Sequence, residues 1–342
     1  MTVTRREGLA GLLAGVAAVA LPAIVKAEEP QKLRFAFPGP PSSPNLLRGL
    51  RPWAEQVEKD ADGALKIEIV TGGRLASLGN TYDRLLSGVF DIGYTTQGLI
   101  GGKFPGTEVV AMPFIVDRSV TGSIALWQLY AKGILAAEYS GVIPLALYTY
   151  PPDALHFRRP VKTLEELKGL KVASSGQISS AILSALGAVP VSVPTTDNYQ
   201  AVSRGVVDGV DAAWTAVTQF KLEEVTNYHL DAPITSIAGV VMMNKQSHDK
   251  LPAKAREAID KNSGLVFSRK FGEVLDGVAT EQHDQVAALT GQTMARLDAA
   301  ELDRWRKVTA AIVDDWVKQV PNGGKLLDAF HQELAEAQRK IK

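Results

Sequence analysis

Five histidines, His156, His229, His248, His283 and His331, are the first side chains to test for chemistry. None stands with another histidine, or with a set of carboxylates, at the spacing that collects a metal ion. The chain has no cysteine, which removes thiol nucleophiles, thiolate metal sites and disulfides. Gly102-Lys103 ends like a phosphate-binding loop, but Gln97 stands where the first glycine belongs and no Ser or Thr follows the lysine. No G-x-S-x-G elbow is present. The carboxylate pairs Glu165-Glu166, Glu223-Glu224 and Asp314-Asp315 fall in helical, solvated contexts and read as charged faces and first-turn acids. These residues offer many ways to hold a molecule and none to transform it. No catalytic residue, metal or cofactor is expected.

Composition agrees. The 342 residues suffice for two ordinary domains, and 46% are apolar, enough for real cores. Lys+Arg and Asp+Glu number 37 each, and the basic residues are scattered without aromatic interleaving, so nucleic acid is not an expected partner. Residues 1–27 differ from the rest: Arg5-Arg6, an uncharged run from Gly8 to Val25, then Val25-Lys26-Ala27 with small residues where a signal peptidase reads. This segment reads as an export signal, of either the twin-arginine or the ordinary Sec type, and a periplasmic location is expected.

Two phrases repeat. SGVFDIG (87–93) and SRGVVDGVD (203–211) each end a helix at a glycine, Gly88 or Gly205, and then run Val-x-Asp. Around the first, the pattern predicts strands at 33–39, 64–70 and 89–94 and helices at 45–63 and 79–88. Around the second it predicts strands at 170–174, 189–194 and 206–214 and helices at 177–187 and 195–205. Each half therefore reads strand, helix, strand, helix, strand. Right-handed crossovers make such strands parallel and collect their carboxyl ends on one edge. Two lobes facing each other would line a cleft with the loops 37–43, 95–98, 174–177, 194–197 and 211–214. The chain beyond is mostly helical, with Trp305, Val308, Ile312 and Trp316 repeating as a core-packing stripe.

The stretch KTLEELKGLKVASSG…LGAVPVSVP…YQAVSRGVVDGVDAAW (162–214) resembles the solute receptors of tripartite ATP-independent periplasmic (TRAP) transporters, the DctP-type family. GGRLASLGNTYDRLLSGVFDIGYTT (72–96), VVAMPFIV (109–116) and GVVMMNKQSHDKLPAKAREAI (239–259) match in the same order. The resemblance implies an α/β fold, a class II-like two-domain periplasmic binding protein with two βαβαβ-based lobes and a long helix spanning both, here at 251–285. It implies a protein that is not an enzyme but closes on a small organic solute and passes it to TRAP membrane permease subunits driven by an ion gradient. The expected division is 31–150 plus 239–275 for lobe I and 151–238 plus 276–342 for lobe II, with hinges near 148–153 and 236–240 and a monomeric state.

The departures bear on the ligand. In the family an arginine that clamps a substrate carboxylate follows the Gly-Leu-Lys-x strand; here Gly169-Leu170-Lys171-Val172 runs into Ala173. The place of a second frequent arginine, upstream, falls on Asp153. The pocket asparagine of the family's Val-Asp-Gly-x-Glu-Asn is Ala212. The expected ligand is therefore neutral or carries an ammonium group, held by Asp153 and Asp211, with Tyr150 and Trp214 as an aromatic wall. Thr96, Gln97, Ser174 and Thr195 are expected to add uncharged hydrogen bonds. The alternatives are a carboxylate held by another cation, Arg158 or Arg159, or a receptor of the same shape serving an ATP-driven importer or a sensor kinase. A periplasmic enzyme on this fold would have only Asp153 and Asp211 to work with, and a structural or adhesion module is at odds with polar, varied strand-end loops.

Overall fold

The computed structural model describes residues 29–174 and 176–341, so the expected export segment lies outside the described residues. Eleven strands are present: β1 (Gln31–Ala36), β2 (Leu65–Val70), β3 (Ile92–Thr96), β4 (Val142–Thr149), β5 (Asp153–Phe157), β6 (Lys171–Ser174), β7 (Val189–Ser192), β8 (Gly209–Ala213), β9 (Tyr228–Asp231), β10 (Ala238–Asn244) and β11 (Thr293–Arg296). They form two sheets, one per lobe, in the orders β2-β1-β3-β10-β4 and β11-β9-β5-β8-β6-β7.

The repeated phrase has a structural cause. Gly88 and Gly205 both have φ of +69°, the left-handed conformation that ends a helix cheaply only at glycine. Three residues later the aspartate of each phrase ties a new strand to the first strand of its lobe. Asp91 Oδ2 accepts from the Arg34 N–H at 2.7 Å, and Asp208 Oδ2 accepts from the Lys171 N–H at 2.8 Å. In return the Asp91 and Asp208 N–H groups donate to the carbonyls of Arg34 and Lys171. Both phrases are thus the same joint, entering the third strand of a parallel trio: β2-β1-β3 in lobe I and β7-β6-β8 in lobe II.

The antiparallel strands were not legible in the parallel pattern. Beside each trio lies a strand that has just arrived from the other lobe. β10 pairs antiparallel with β3 and β4, and β5 pairs antiparallel with β8 and β9. The chain crosses at 150–152 and again at 232–237, and the two crossing segments bond to each other. The Tyr150 N–H donates to the Ile237 carbonyl and the Asp153 N–H to the Thr235 carbonyl, both at 2.9 Å. The Ser236 hydroxyl donates to the Tyr150 carbonyl at 2.8 Å.

The expected single helix at 251–285 is two helices, Ala253–Lys261 and Leu265–Ala287. Gly264 (φ +75°) breaks it and donates its N–H to the Leu145 carbonyl at 2.7 Å. The second helix spans the lobes. Phe267, Phe271 and Leu275 pack into the core of lobe I, and Ala279 and Val286 into that of lobe II. Gly272 lets it approach the helix Ser119–Ala131, where a Cβ would lie 2.7 Å from the Val120 Cα. One turn on, Asp276 accepts the Ser119 and Val120 N–H groups at 2.7 and 3.1 Å, capping that helix from outside.

The C-terminal helices depart from the expected lobe II assignment of 276–342. Helix Ala299–Gln319 starts on lobe II with Trp305 and ends on lobe I with Trp316, while Val308 in the same stripe is exposed. Leu326, Phe330 and Leu334 of helix Gly323–Lys340 pack into the lobe I core. The stripe rotates as the helix passes from one lobe to the other, so its apolar residues do not share one partner surface.

The joints differ in one respect: Asp91 Oδ1 also accepts from Ser247 at 2.7 Å, on the segment after β10. Asp208→Ala is expected to cost about 1–2 kcal/mol and Asp91→Ala measurably more, since it leaves more donors unpaired. Urea denaturation of the two variants checks the order.

Candidate functional site

Between the lobes lies a cavity of about 790 Å³, a figure that includes its open mouth. Lobe I contributes Phe37, Gly39 and Asn45 after β1, and Tyr94 and Thr96 from β3. Lobe II contributes Thr195, Asp211 and the start of helix Trp214–Val217 with Gln219 and Phe220 beyond it. Tyr150, Asp153 and Ile237 come from the crossings. The walls are largely apolar and aromatic. The hydroxyls of Tyr94 and Tyr150 hydrogen-bond to each other. At the mouth the Ser43 hydroxyl of lobe I donates to Gln219 Oε1 of lobe II at 3.0 Å.

Of the residues expected at the site, Thr96, Tyr150, Asp153, Thr195 and Asp211 line this cavity, and three do not. Gln97 begins a short 3-10 turn that swings its amide away, to donate to the Tyr139 hydroxyl at 2.5 Å; it borders a smaller recess with Ser179 and Thr235. Ser174 is buried and bonds to the Ser180 hydroxyl at 2.7 Å. Trp214 turns to the back of the hinge. Its indole donates to Asp231 at 2.8 Å and its ring packs against His156, His229 and His283, with centroids 4.8–5.3 Å apart. Tyr150 keeps its expected place in the aromatic wall, where Phe37, Tyr94 and Phe220, which the sequence reading did not name, stand in place of Trp214. Phe37 opens a loop that the parallel-sheet rule had placed at the cleft, so its position was recoverable; Phe220 lies in the turn after the short helix Trp214–Val217, which no pattern announced.

The two acids owe their place to strand direction. β5 runs against β8, so the first residue of β5 lies at the carboxyl edge of the parallel trio, facing the cleft. In register, Asp153 pairs with Ala213 and Leu155 with Asp211, which puts the two carboxyls diagonally adjacent on one face. The same direction carries Arg158 and Arg159 past the far end of β5, where both are exposed. At about 3.3 Å per residue they lie more than 15 Å along the strand from Asp153. They do not line the cavity, and neither does any other Lys, Arg or His among the described residues.

Asp153 is 1% and Asp211 2% exposed. Both Asp153 oxygens and Oδ1 of Asp211 lack a hydrogen-bond partner among the described residues, while Asp211 Oδ2 accepts from Ser179 at 2.5 Å. Burial, with the Asp211 charge added, holds the Asp153 carboxyl well above the carboxylate range. Burial also lifts Asp211 to about 7, against the pull of the Ser179 hydrogen bond. Burial and the neighbouring acid therefore favour the protonated form of Asp153, which avoids two adjacent charges in a water-poor space.

A carboxyl whose folded pKa is raised binds its proton more tightly folded than unfolded. Its stabilising contribution is full below about pH 4 and is lost as pH rises through the folded values, about 7 for Asp211 and well above the ordinary carboxylate range for Asp153. The buried His156, depressed to about 3, acts in the other direction, losing stability as pH falls below the ordinary histidine range. Asp153→Asn is thus expected to raise the melting temperature of the ligand-free protein by several degrees at pH 8 and to change it little at pH 5. A thermal-shift series across pH checks this.

The site can hold a ring-sized guest between aromatic walls. Residues 39–319 match the model of the bacterial extracellular solute-binding proteins, family 7 (DctP). A TRAP solute-binding protein of Rhodoferax ferrireducens, solved with copurified benzoate, is 27% identical; the match covers 91% of this chain and all of that one, with a TM-score of 0.87. A marine-metagenome TRAP solute-binding protein specific for aromatic acids, solved with 3-hydroxybenzoate, is 25% identical, covers 90% and 99% of the two chains, and has a TM-score of 0.86. The C4-dicarboxylate-binding periplasmic protein DctP of Rhodobacter capsulatus is 26% identical over 98% of this chain and 100% of its own. The two-lobe fold is that of this group, and the chain belongs to the DctP family of bacterial extracellular solute-binding proteins.

Proposed function

We propose that this receptor captures a small ring-bearing solute whose polar end is a protonated nitrogen, or a neutral group rich in donors, and delivers it to the membrane permease of a TRAP transporter. One observation carries the ligand half of this reading: the cavity is lined by two buried, under-bonded carboxyls and by no cation. An ammonium group set against Asp153 and Asp211 satisfies acceptors that otherwise lack donors, and each charge-assisted hydrogen bond contributes about 1.5–3 kcal/mol. The faces of Tyr94, Tyr150 and Phe37 add about 0.5–2 kcal/mol for a cation or a ring stacked beside them. The benzoate and hydroxybenzoate relatives support the ring but not the polar end. A carboxylate placed here would meet acids with no guanidinium to offset them, at a cost on the order of several kcal/mol.

A second reading has its own support in the raised Asp153 carboxyl. Kept protonated, it is a hydrogen-bond donor, able to hold an aromatic carboxylate as its neutral partner. The readings differ in sign. An amine gains affinity as pH rises and the acids ionise; a carboxylate loses it over the same range.

Calorimetric titration with benzylamine, benzyl alcohol and benzoate at pH 6 and pH 8 separates them. The first reading expects benzylamine to bind more tightly at pH 8 and Asp153→Asn to weaken it at least about tenfold, or ~1.4 kcal/mol. Benzoate binding that is tight and indifferent to Asp153→Asn would defeat both readings of the acid pair and leave the receptor assignment standing.

A further inference from the structure

Phe114 sits in the loop before helix Ser119–Ala131 with φ of +59°, the left-handed region that an aromatic residue rarely enters. Its neighbours belong to lobe I: Val109, Val110, Met112 and Val116 are buried in the core of that lobe and Ile115 packs against it. The Phe114 ring alone crosses over. It packs with the lobe II core beside Ile234 and Trp305, and the Arg306 guanidinium lies 5.5 Å from the ring centroid. Its N–H donates to the Ile234 carbonyl on the second crossing segment at 3.3 Å. The exchange is reciprocal, because Ile178 of lobe II packs against the cores of both lobes and, with Val110 and Ala111, lines the recess behind the main cavity.

Backbone strain of this kind persists only where the surroundings over-determine it. Here what holds the residue is the opposite lobe: the strained conformation aims the ring across the seam, and the seat in lobe II holds it there. The seat adjoins a crossing segment, where a rotation of the lobes displaces atoms least, whereas the Ser43–Gln219 hydrogen bond closes the far edge, at the mouth. A second tie between the lobes, the Arg48–Glu281 ion pair, joins the segment after β1 to the lobe II part of the spanning helix.

We propose that Phe114 is the pivot of lobe closure, a lobe I side chain that stays seated in lobe II and sets the angle at which the two walls of the cavity meet. It is a positioning residue and does not touch the ligand. When the lobes part, Ser43 leaves Gln219 while the ring keeps its seat. Emptying the seat removes the reference point, so the lobes sample a range of angles and the cavity walls lose their fixed separation.

The absence of cysteine makes the test direct. Nitroxides at Arg74→Cys on lobe I and Arg204→Cys on lobe II, both exposed positions, report the interlobe distance by double electron–electron resonance in the ligand-free full chain. Phe114→Ala is expected to broaden the distance distribution at least about twofold, and Phe114→Leu, which refills the seat, to restore most of the parent width. Ser43→Ala should add a longer-distance population without broadening the closed one. Asp208→Ala, destabilising but remote from the seam, should leave the distribution unchanged; broadening there as large as in Phe114→Ala would reduce the effect to general loosening and overturn the proposal. A folded Phe114→Ala with the parent distribution also overturns it. Should Phe114→Ala fail to fold, Arg306→Gln, which removes only the exposed cation over the ring, takes its place: broadening supports the pivot and an unchanged distribution counts against it.

Discussion

The two crossing segments, bonded to each other at Tyr150–Ile237 and Asp153–Thr235, are the constraint on which the molecule depends. They make the lobes hinge about a short ribbon, and each feeds a strand into the sheet it enters. Because those strands run against the parallel trio beside them, their ends nearest the crossing fall at the carboxyl edges of the sheets. The cleft therefore receives hinge residues as well as strand-end loops. Tyr150, Asp153 and Ile237 are cavity residues for that reason and not because of local sequence.

This also separates what could be read from the chain from what could not. The glycine stops and the paired aspartates are local signals, each with one physical job, and they announced the parallel trios and the facing lobes. Asp153 and Asp211 were found through a resemblance that counted positions, and the strand register then brought them onto one face. Trp214 was misplaced because its position follows Asp211 by three residues but opens a helix, which turns its indole to the far side of the sheet. Gln97 was misplaced by the same kind of turn at the end of β3. Arg158 and Arg159 were close to Asp153 in sequence and distant in space, since an extended strand separates its ends faster than any other structure. The long helix read as continuous because only Asn262-Ser263-Gly264 interrupts a helical pattern that resumes at Leu265.

The acid pair gives the cavity an acidic wall: Asp153 and Asp211 line it, and no Lys, Arg or His among the described residues does. The cost falls on the empty state, which buries carboxyls without partners and so holds protons that a guest must displace or use. Affinity in such a site is tied to the protonation of the wall as closely as to its shape.

The interleaving of the sheets has a consequence for synthesis. β10 occupies the place between β3 and β4, and it is made only after five of the six strands of the lobe II sheet. Until residue 244 leaves the ribosome, the earlier half carries two bare strand edges with a strand-wide gap between them, a template for pairing with another nascent chain. Cutting the gene at the first crossing would leave residues 31–150 without β10, an interior strand of their own sheet, so lobe I is not completed by its own half of the chain.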